Sequence, residues 1–227
     1  SAVDEPEVVV IGAGHSGLGL AAHLKTLGVP TLVVDRNARI GDNWRNRYDS
    51  LVLHDPVWAN HLPFLPFPPT WPVFTPKDRM GDWLEVYARA LDLNVRTDTT
   101  VRSSTYDTAT ATWELELDSA GQVHTVRPRH VVLATGLSGT EPLVPDFEGT
   151  DLFRGEVLHS AQYRTDPARA GTSVVVVGTG NSGHDIAQDL YLSGAQVTLV
   201  QRGPTYVVGG TTVVDVMLEP AYGEDSP

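Results

Sequence analysis

An α/β protein built from two strand–turn–helix–strand units in series is what this chain of 227 residues predicts. Three observations carry that expectation. A β-branched run leads into a glycine turn at 8–17, "VVVIGAGHSG", and again at 174–183, "VVVVGTGNSG". In both places helical spacing, a glycine and a second β-branched strand follow. Between them, residues 105–127 alternate in polarity and read as antiparallel strands.

Taken in order, Val8–Ile11 reads as a buried parallel strand, and Gly12, Gly14, Ser16 and Gly17 form the first turn. Leu20, Ala21, Leu24 and Leu27 then share a helical face that closes at Gly28, and "TLVVDR" returns as a strand ending in Asp35. "IGDNWRNRYDSLVLHDP" is a polar loop holding Trp44, Tyr48 and His54. The stretch "LPFLPFPPTWPVFTP" has six prolines in fifteen residues, which suits a linker, yet its interleaved aromatics favour a packed, ordered loop. Thr75-Pro76 is expected to start a helix with Met80, Trp83, Leu84, Tyr87 and Leu91 on its apolar face. A hairpin or meander over 105–127 follows, then "HVVLATG" as another buried strand. The second copy repeats the plan: Val174–Val177 as a buried strand, Gly178, Gly180, Ser182 and Gly183 as the turn, Ile186, Ala187 and Leu190 as the helical face, Gly194 as its end, and "VTLVQR" as the return.

Glycine is wanted at these places for separate reasons. The first permits the tight turn, the second lets a pyrophosphate approach the backbone, and the third lets helix pack on strand. The pyrophosphate then meets the N–H groups of a helix start. In this context the turns read as two Rossmann-type dinucleotide-binding units, with two purely structural turns as the plain alternative. The copies differ in their readers. Gly12 to Asp35 and Gly178 to Gln201 both span 23 positions, so Gln201 stands where the first copy has a carboxylate. Asp35 can accept hydrogen bonds from an adenosine ribose, whereas Gln201 beside Arg202 can accept a 2′-phosphate. Arginine alone does not discriminate, because Arg36 follows Asp35. Copy one therefore suits FAD or NAD and copy two suits NADP, the other reading of Arg202 being a solvated charge at a strand end.

Composition narrows the rest. No apolar run approaches the ~18–20 residues of a membrane span, and the opening residues lack the basic start and apolar stretch of a signal peptide. A cytoplasmic location is expected. A formal charge of −12 argues against a nucleic-acid partner. With no cysteine, these residues offer no disulfide, thiolate metal site or redox dithiol, and no metal-ligand spacing is present.

Two further motifs carry a resemblance. "FRGEVLHSAQY" contains Phe153, Gly155, His159 and Tyr163 in the spacing F-x-G-x-x-x-H-x-x-x-(Y/F), and Ala134, Thr135 and Gly136 form an Ala-Thr-Gly turn. With the two glycine turns, these resemble the class B flavin-dependent monooxygenases over essentially the whole chain. "YDSLVLHDP", "FPPTWPVFTPKDRMGDWLEVYA" and "GTGNSG" look most like the plant YUCCA-type enzymes and their microbial relatives.

The resemblance implies an FAD-binding domain at 1–147, carrying the β insertion, and an NADPH-binding domain at 148–227 that is cut short. It implies that NADPH reduces FAD, that O₂ forms a C4a-hydroperoxyflavin, and that one oxygen passes to an amine, sulfide or 2-oxo acid. Gly12, Gly14, Ser16 and Gly17 would then cradle the FAD pyrophosphate, and Asp35, with Arg36 beside it, would hold the ribose. Trp44 and Arg45 would contact the flavin half. Gly178, Gly180, Asn181, Ser182, Gly183 and Arg202 would hold NADPH. His54 would stand near flavin and nicotinamide, where many relatives have asparagine, and whether it bonds the cofactors as asparagine does stays open. His159 is either a structural linker or an influence on cofactor coupling, Tyr163 a packing residue, and His23 and His184 surface residues. Two alternatives stand beside this: a Baeyer–Villiger enzyme acting on ketones, whose signature ends in tryptophan rather than Tyr163-Arg164, and a non-catalytic nucleotide-binding fragment. Self-association through an exposed domain edge is a further expectation.

Overall fold

The computed structural model describes residues 5–136, 142 and 144–213. In chain order the elements are β1 (Val8–Ile11), α1 (His15–Thr26), β2 (Thr31–Val34), α2 (Asp42–Arg45), β3 (Val52–Pro56), β4 (Phe74–Pro76), α3 (Lys77–Ala90), β5 (Val95–Arg96), β6 (Thr99–Asp107), β7 (Thr112–Ser119), β8 (Gln122–Val126), β9 (His130–Leu133), β10 (Ser173–Val177), α4 (Asn181–Leu192), β11 (Gln196–Val200) and α5 (Gly210–Val213), with short 3-10 turns between some of them. They fall into two compact units. The first takes Ser1–Asn46, Asn60–Trp71 and Asp78–Thr140; the second takes Arg47–Ala59, Pro72–Lys77 and Glu141–Pro227. The last of these switches falls between residues 140 and 141, and the second unit also draws in two earlier segments.

In the first unit a parallel sheet runs β5-β2-β1-β9. β1 lies inside it, in register with Thr31–Val34 on one side and His130–Leu133 on the other. That position explains why its valines are buried: both edges are hydrogen-bonded and both faces are covered. α1 presses Leu18, Ala21 and Ala22 into the core. The antiparallel ribbon β6-β7-β8 presents Leu115, Leu117 and Val126 to Val9, Leu32 and Val34. Strict alternation in β7 makes this possible, since Glu114, Glu116 and Asp118 point the other way. The ribbon starts at Thr99, earlier than its polarity pattern indicated, because β6 itself is mostly exposed and carries little alternation.

The proline-rich stretch is packed. Phe67 is buried, stacks on Trp71 at 4.9 Å and meets Trp83 of α3 at 5.4 Å. Arg79 lies over the Trp71 ring at 5.6 Å, and the Tyr87 hydroxyl donates to Pro63 O at 2.9 Å. Met80, Leu84 and Tyr87 are fully buried, as the helical spacing indicated.

Four expectations are corrected. Leu27 does not share the buried face of α1: it is the C-cap and 75% exposed, while Leu18 with Ala21 and Ala22 forms the i, i+3, i+4 set that packs. α3 begins at Lys77, because Thr75 and Pro76 belong to β4, whose Phe74 and Pro76 pair with β3. β9 is not buried: it ends the row of strands described, and Leu133 is 75% exposed. Nor is β10 buried in the way β1 is. In the second unit β10 pairs only with β11 among the described residues, and α4 covers one face. Val174 and Val176 are partly sheltered, while Val175 and Val177, on the other face, are 62% and 61% exposed.

Candidate functional site

The two glycine turns are close copies in backbone geometry. Gly12 and Gly178 both have φ +113, a conformation that residues with a Cβ adopt rarely and under strain. Their N–H groups donate to Val34 O at 2.8 Å and Val200 O at 2.9 Å, the same bond in each copy. A Cβ at Gly17 would fall 1.9 Å from Gly12 O, and one at Gly183 would fall 2.2 Å from Gly178 O, so each third glycine lets its helix close on the turn. Each second glycine instead borders open space: a Cβ on Gly14 would meet only Asn43 Nδ2, at 3.6 Å, and one on Gly180 would meet nothing within 4 Å. Gly14 and Gly180 are the N-caps of α1 and α4. Each turn therefore combines vacant space with the unpaired N–H groups of a twelve-residue helix, an arrangement that can seat a pyrophosphate.

Around the first turn the expected residues converge. Asp35 Oδ2 accepts from Ala13 N at 2.7 Å, and Oδ1 accepts from the N and Nδ2 of Asn37 at 2.8 and 2.9 Å. The carboxylate is thus fixed against the turn, with lone pairs left for a ribose hydroxyl. Ala134 N donates to Ile11 O at 2.8 Å, and its carbonyl would lie 2.3 Å from a Cβ on Gly12, so the Ala134-Thr135-Gly136 segment runs directly against the turn. Arg36 is exposed. Trp44 and Arg45 lie in α2, where Arg45 is committed to carboxylates: it pairs with Asp42 at 3.1 Å, Asp82 at 2.8 Å and Glu85 at 3.2 Å, and donates to Ile40 O. Arg39 and Arg89 complete this cluster on Glu85, and the hydrogen bond from Arg39 holds its carboxyl below the usual range. His15, which the sequence did not single out, sits in the turn itself with Nε2 3.1 Å from Asn60 O, and burial lowers its pKa.

In the second unit, His54 lies not in a loop, as the polar stretch around it suggested, but in β3, and it meets the start of α4. His54 Nε2 lies 2.9 Å from Asp185 Oδ2, and His54 Nδ1 lies 3.0 Å from Asn181 Nδ2. Tyr48 is buried and its hydroxyl donates to the same Asp185 Oδ2 at 2.7 Å. The hydrogen bond that His54 donates to Asp185 raises the pKa of His54 against the opposing effect of burial, with the charges of Asp185 and Asp55 adding to it. Burial, then the bond to Asp185, pushes the Tyr48 hydroxyl far up, so it is a neutral donor. Burial alone would raise Asp185; the bonds from His54 and Tyr48 outweigh it and leave the carboxyl below its ordinary value. The pairing of Tyr48 with Asp185 carried no signal in the sequence, since the two stand 137 positions apart with no motif that links them. His184 is not a surface residue: its Nε2 is buried without a partner among the described residues. His23 is exposed and meets the edge of Phe64.

Beyond β11, Thr205 Oγ1 lies 2.9 Å from Thr179 Oγ1 of the turn, and Gln201 and Arg202 are exposed at the strand end. The signature residues divide by role. Tyr163 is 5% exposed and donates to Asp189 Oδ2 of α4 at 2.6 Å. His159 caps the turn Ser160–Gln162, its Nδ1 accepting from Ala161 N while Gln162 Oε1 accepts from its own N–H. Phe153 is 63% exposed, and a Cβ on Gly155 would strike its ring at 2.6 Å. Among the described residues no cluster of His, Asp and Glu could hold a metal, and no helix is long and apolar enough to cross a membrane.

Comparison with known proteins agrees with this architecture. The family model described as pyridine nucleotide-disulphide oxidoreductase matches residues 9–224. Indole-3-pyruvate monooxygenase YUCCA1 of Oryza sativa subsp. japonica is 40% identical over 204 residues, which cover 89% of this chain and 49% of that protein. The solved flavin-containing monooxygenase from Stenotrophomonas maltophilia has a TM-score of 0.80 at 28% identity, over 94% of this chain and 64% of its own. OTEMO, solved in complex with FAD and NADP, has a TM-score of 0.71 at 28% identity, over 88% of this chain and 40% of its own. The chain spans about half the length of the curated relatives it matches. The resemblance to flavin monooxygenases expected from the motifs therefore stands, as does the fold class.

Proposed function

The chain belongs to the pyridine nucleotide-disulphide oxidoreductase family, and from that premise we propose that it is the two-nucleotide core of an NADPH- and O₂-dependent flavin monooxygenase. One observation carries the reading: two turns of matching backbone, each open at its second glycine, end in different readers, Asp35 in one and Gln201-Arg202 in the other. The family description includes disulphide chemistry, but this chain has no cysteine to perform it.

The first turn would hold FAD and the second NADPH, and the flavin would supply the redox chemistry that activates O₂. The chain's own residues bind and orient. The N–H groups at the start of α1 take the FAD pyrophosphate, with Gly12, Gly14, Ser16 and Gly17 shaping the turn. Asp35, already fixed by Ala13 N, accepts a ribose hydroxyl. Gly178, Gly180, Asn181, Ser182 and Gly183 serve NADPH in the same way, and the Arg202 guanidinium takes the 2′-phosphate. Arg45 acts indirectly, tying α2 to α3 through Asp82 and Glu85. His54 offers a ring of adjustable charge beside the NADPH turn. The substrate of the whole protein is a small organic molecule, and a 2-oxo acid is favoured over an amine or sulfide, since the rice relative is named for indole-3-pyruvate. We place the protein in the cytoplasm.

Calorimetric titration of the full chain tests the assignment of the second turn. NADP⁺ is expected to bind at least about tenfold more tightly than NAD⁺, a difference of about 1.4 kcal/mol. Arg202→Ala should remove most of that preference. Equal affinities in the unaltered chain would refute the reading.

A further inference from the structure

Asp185 stands in the first turns of α4, and a single oxygen, Oδ2, takes both the Tyr48 hydroxyl at 2.7 Å and His54 Nε2 at 2.9 Å. A carboxylate only accepts, so Nε2 carries a hydrogen and the lone pair of the neutral ring sits on Nδ1. Nδ1 faces Asn181 Nδ2 at 3.0 Å, an amide nitrogen that only donates. Both contacts are satisfied together by one tautomer and by no other.

We propose that Asp185 is a positioning residue for His54: it fixes the Nε2–H tautomer and turns Nδ1 onto Asn181, so the ring gains and loses its proton on the side of the second glycine turn. This rests on the reading of that turn as the NADPH site.

The consequence follows from hydrogen-bond accounting. An imidazolium has a hydrogen on both nitrogens, and a donor at Nδ1 cannot face a donor at Asn181. Asn181 resolves the conflict by turning its amide over to present Oδ1. The orientation of an amide within the glycine turn thereby follows the charge of His54. The charged and titratable groups around the ring are Asp185 and Asp55, which favour its positive form, Tyr48, which stays neutral, and His184, whose charge acts on Asp185. Phosphate seated on the N–H groups of the turn adds negative charge near the ring and favours the imidazolium further. Protonation of His54 and occupancy of the turn are then linked, each promoting the other.

Long-range ¹H–¹⁵N correlation spectra of the histidine rings, recorded on the full chain from about pH 5 to about pH 9, read tautomer and midpoint directly. Neutral His54 should show a protonated Nε2 and a bare Nδ1, with a midpoint above that of ordinary histidine. Asp185→Asn keeps an acceptor oxygen but removes the charge, and should lower the midpoint by about one unit or more. Tyr48→Phe should leave the tautomer unchanged. A protonated Nδ1 in the unaltered chain, or a midpoint that Asp185→Asn does not move, overturns the proposal; should Asp185→Asn fail to fold, the tautomer in the unaltered chain decides alone. Added NADP⁺ should shift the backbone amides of Gly178–Gly183 and raise the midpoint of His54. Shifted amides with an unmoved midpoint overturn the linkage. Unshifted amides refute the NADPH assignment instead, while the tautomer and the Asp185→Asn midpoint still judge Asp185.

Discussion

Gly12 and Gly178 offer a controlled comparison, because they share a φ of +113 and a hydrogen bond to the neighbouring strand but differ in what lies beside them. Alanine at either position must adopt a backbone conformation that costs about 1–3 kcal/mol for a residue with a Cβ. At Gly178 that is the whole penalty, since a Cβ there meets nothing within 4 Å. At Gly12 the Cβ lands 2.3 Å from Ala134 O and 2.9 Å from Ala134 C, so the segment must retreat to at least 3.0 Å. That movement strains the bond from Ala134 N to Ile11 O, which continues the pairing of β1 with β9. Overpacking of this kind adds about 1–3 kcal/mol. Gly12→Ala should therefore destabilise its unit by about 2–6 kcal/mol in all, against about 1–3 for Gly178→Ala in the other. Urea unfolding followed by circular dichroism and tryptophan fluorescence, with slopes compared to exclude a change in the unfolded state, measures both. Equal losses, or a larger loss at Gly178, would refute the close-approach argument.

Two further outcomes are expected. Tyr163→Phe removes the hydroxyl that donates to Asp189 from a ring almost fully buried, while Thr165 Oγ1 still donates to the same oxygen at 2.8 Å; a loss of about 1–2 kcal/mol in thermal or urea unfolding is expected, and a neutral result would mean the ring alone matters. The His54–Asp185 pair gives the second unit a definite pH dependence. His54 is raised when folded, so its contribution is fully present below the ordinary value of 6.5 and is lost as pH rises through the folded value; Asp185 is lowered, so its contribution is present above the ordinary 3.8 and is lost as pH falls. Unfolding midpoints measured across this range should decline at the alkaline side, and Asp185→Asn should flatten that decline.

What could be read from the chain, and what could not, follows from the range of the forces involved. The glycine turns were legible because backbone geometry at Gly12 and Gly178 strains any residue with a Cβ, so the requirement is written at a single position. The ribbon β6-β7-β8 was legible in part, because one buried face imposes alternation on Leu115 and Leu117, whereas exposed β6 has no such demand. Burial in the two copies could not be told apart. Val8–Ile11 and Val174–Val177 are near-identical strings, yet β1 has neighbours on both edges and cover on both faces, while β10 has, among the described residues, one partner and one covering helix. The meeting of Tyr48, His54 and Asp185 was invisible for the opposite reason: a hydrogen bond closed over more than a hundred residues leaves no local periodicity. His54 is singled out by the resemblance, whereas Asp185 stands in none of the motifs that carry it.

The second unit also bears on how this gene can be divided. It gathers Arg47–Ala59 and Pro72–Lys77 from the first half of the chain, and with them Tyr48 and His54. A truncation at residue 147, the natural place to cut by linear motif, would separate α4 from both side chains that Asp185 holds. Swapping the nucleotide module of one such protein into another therefore means transplanting three stretches of sequence rather than one, and chimaeras joined at a single point would inherit the Asp185 of one parent and the His54 strand of the other.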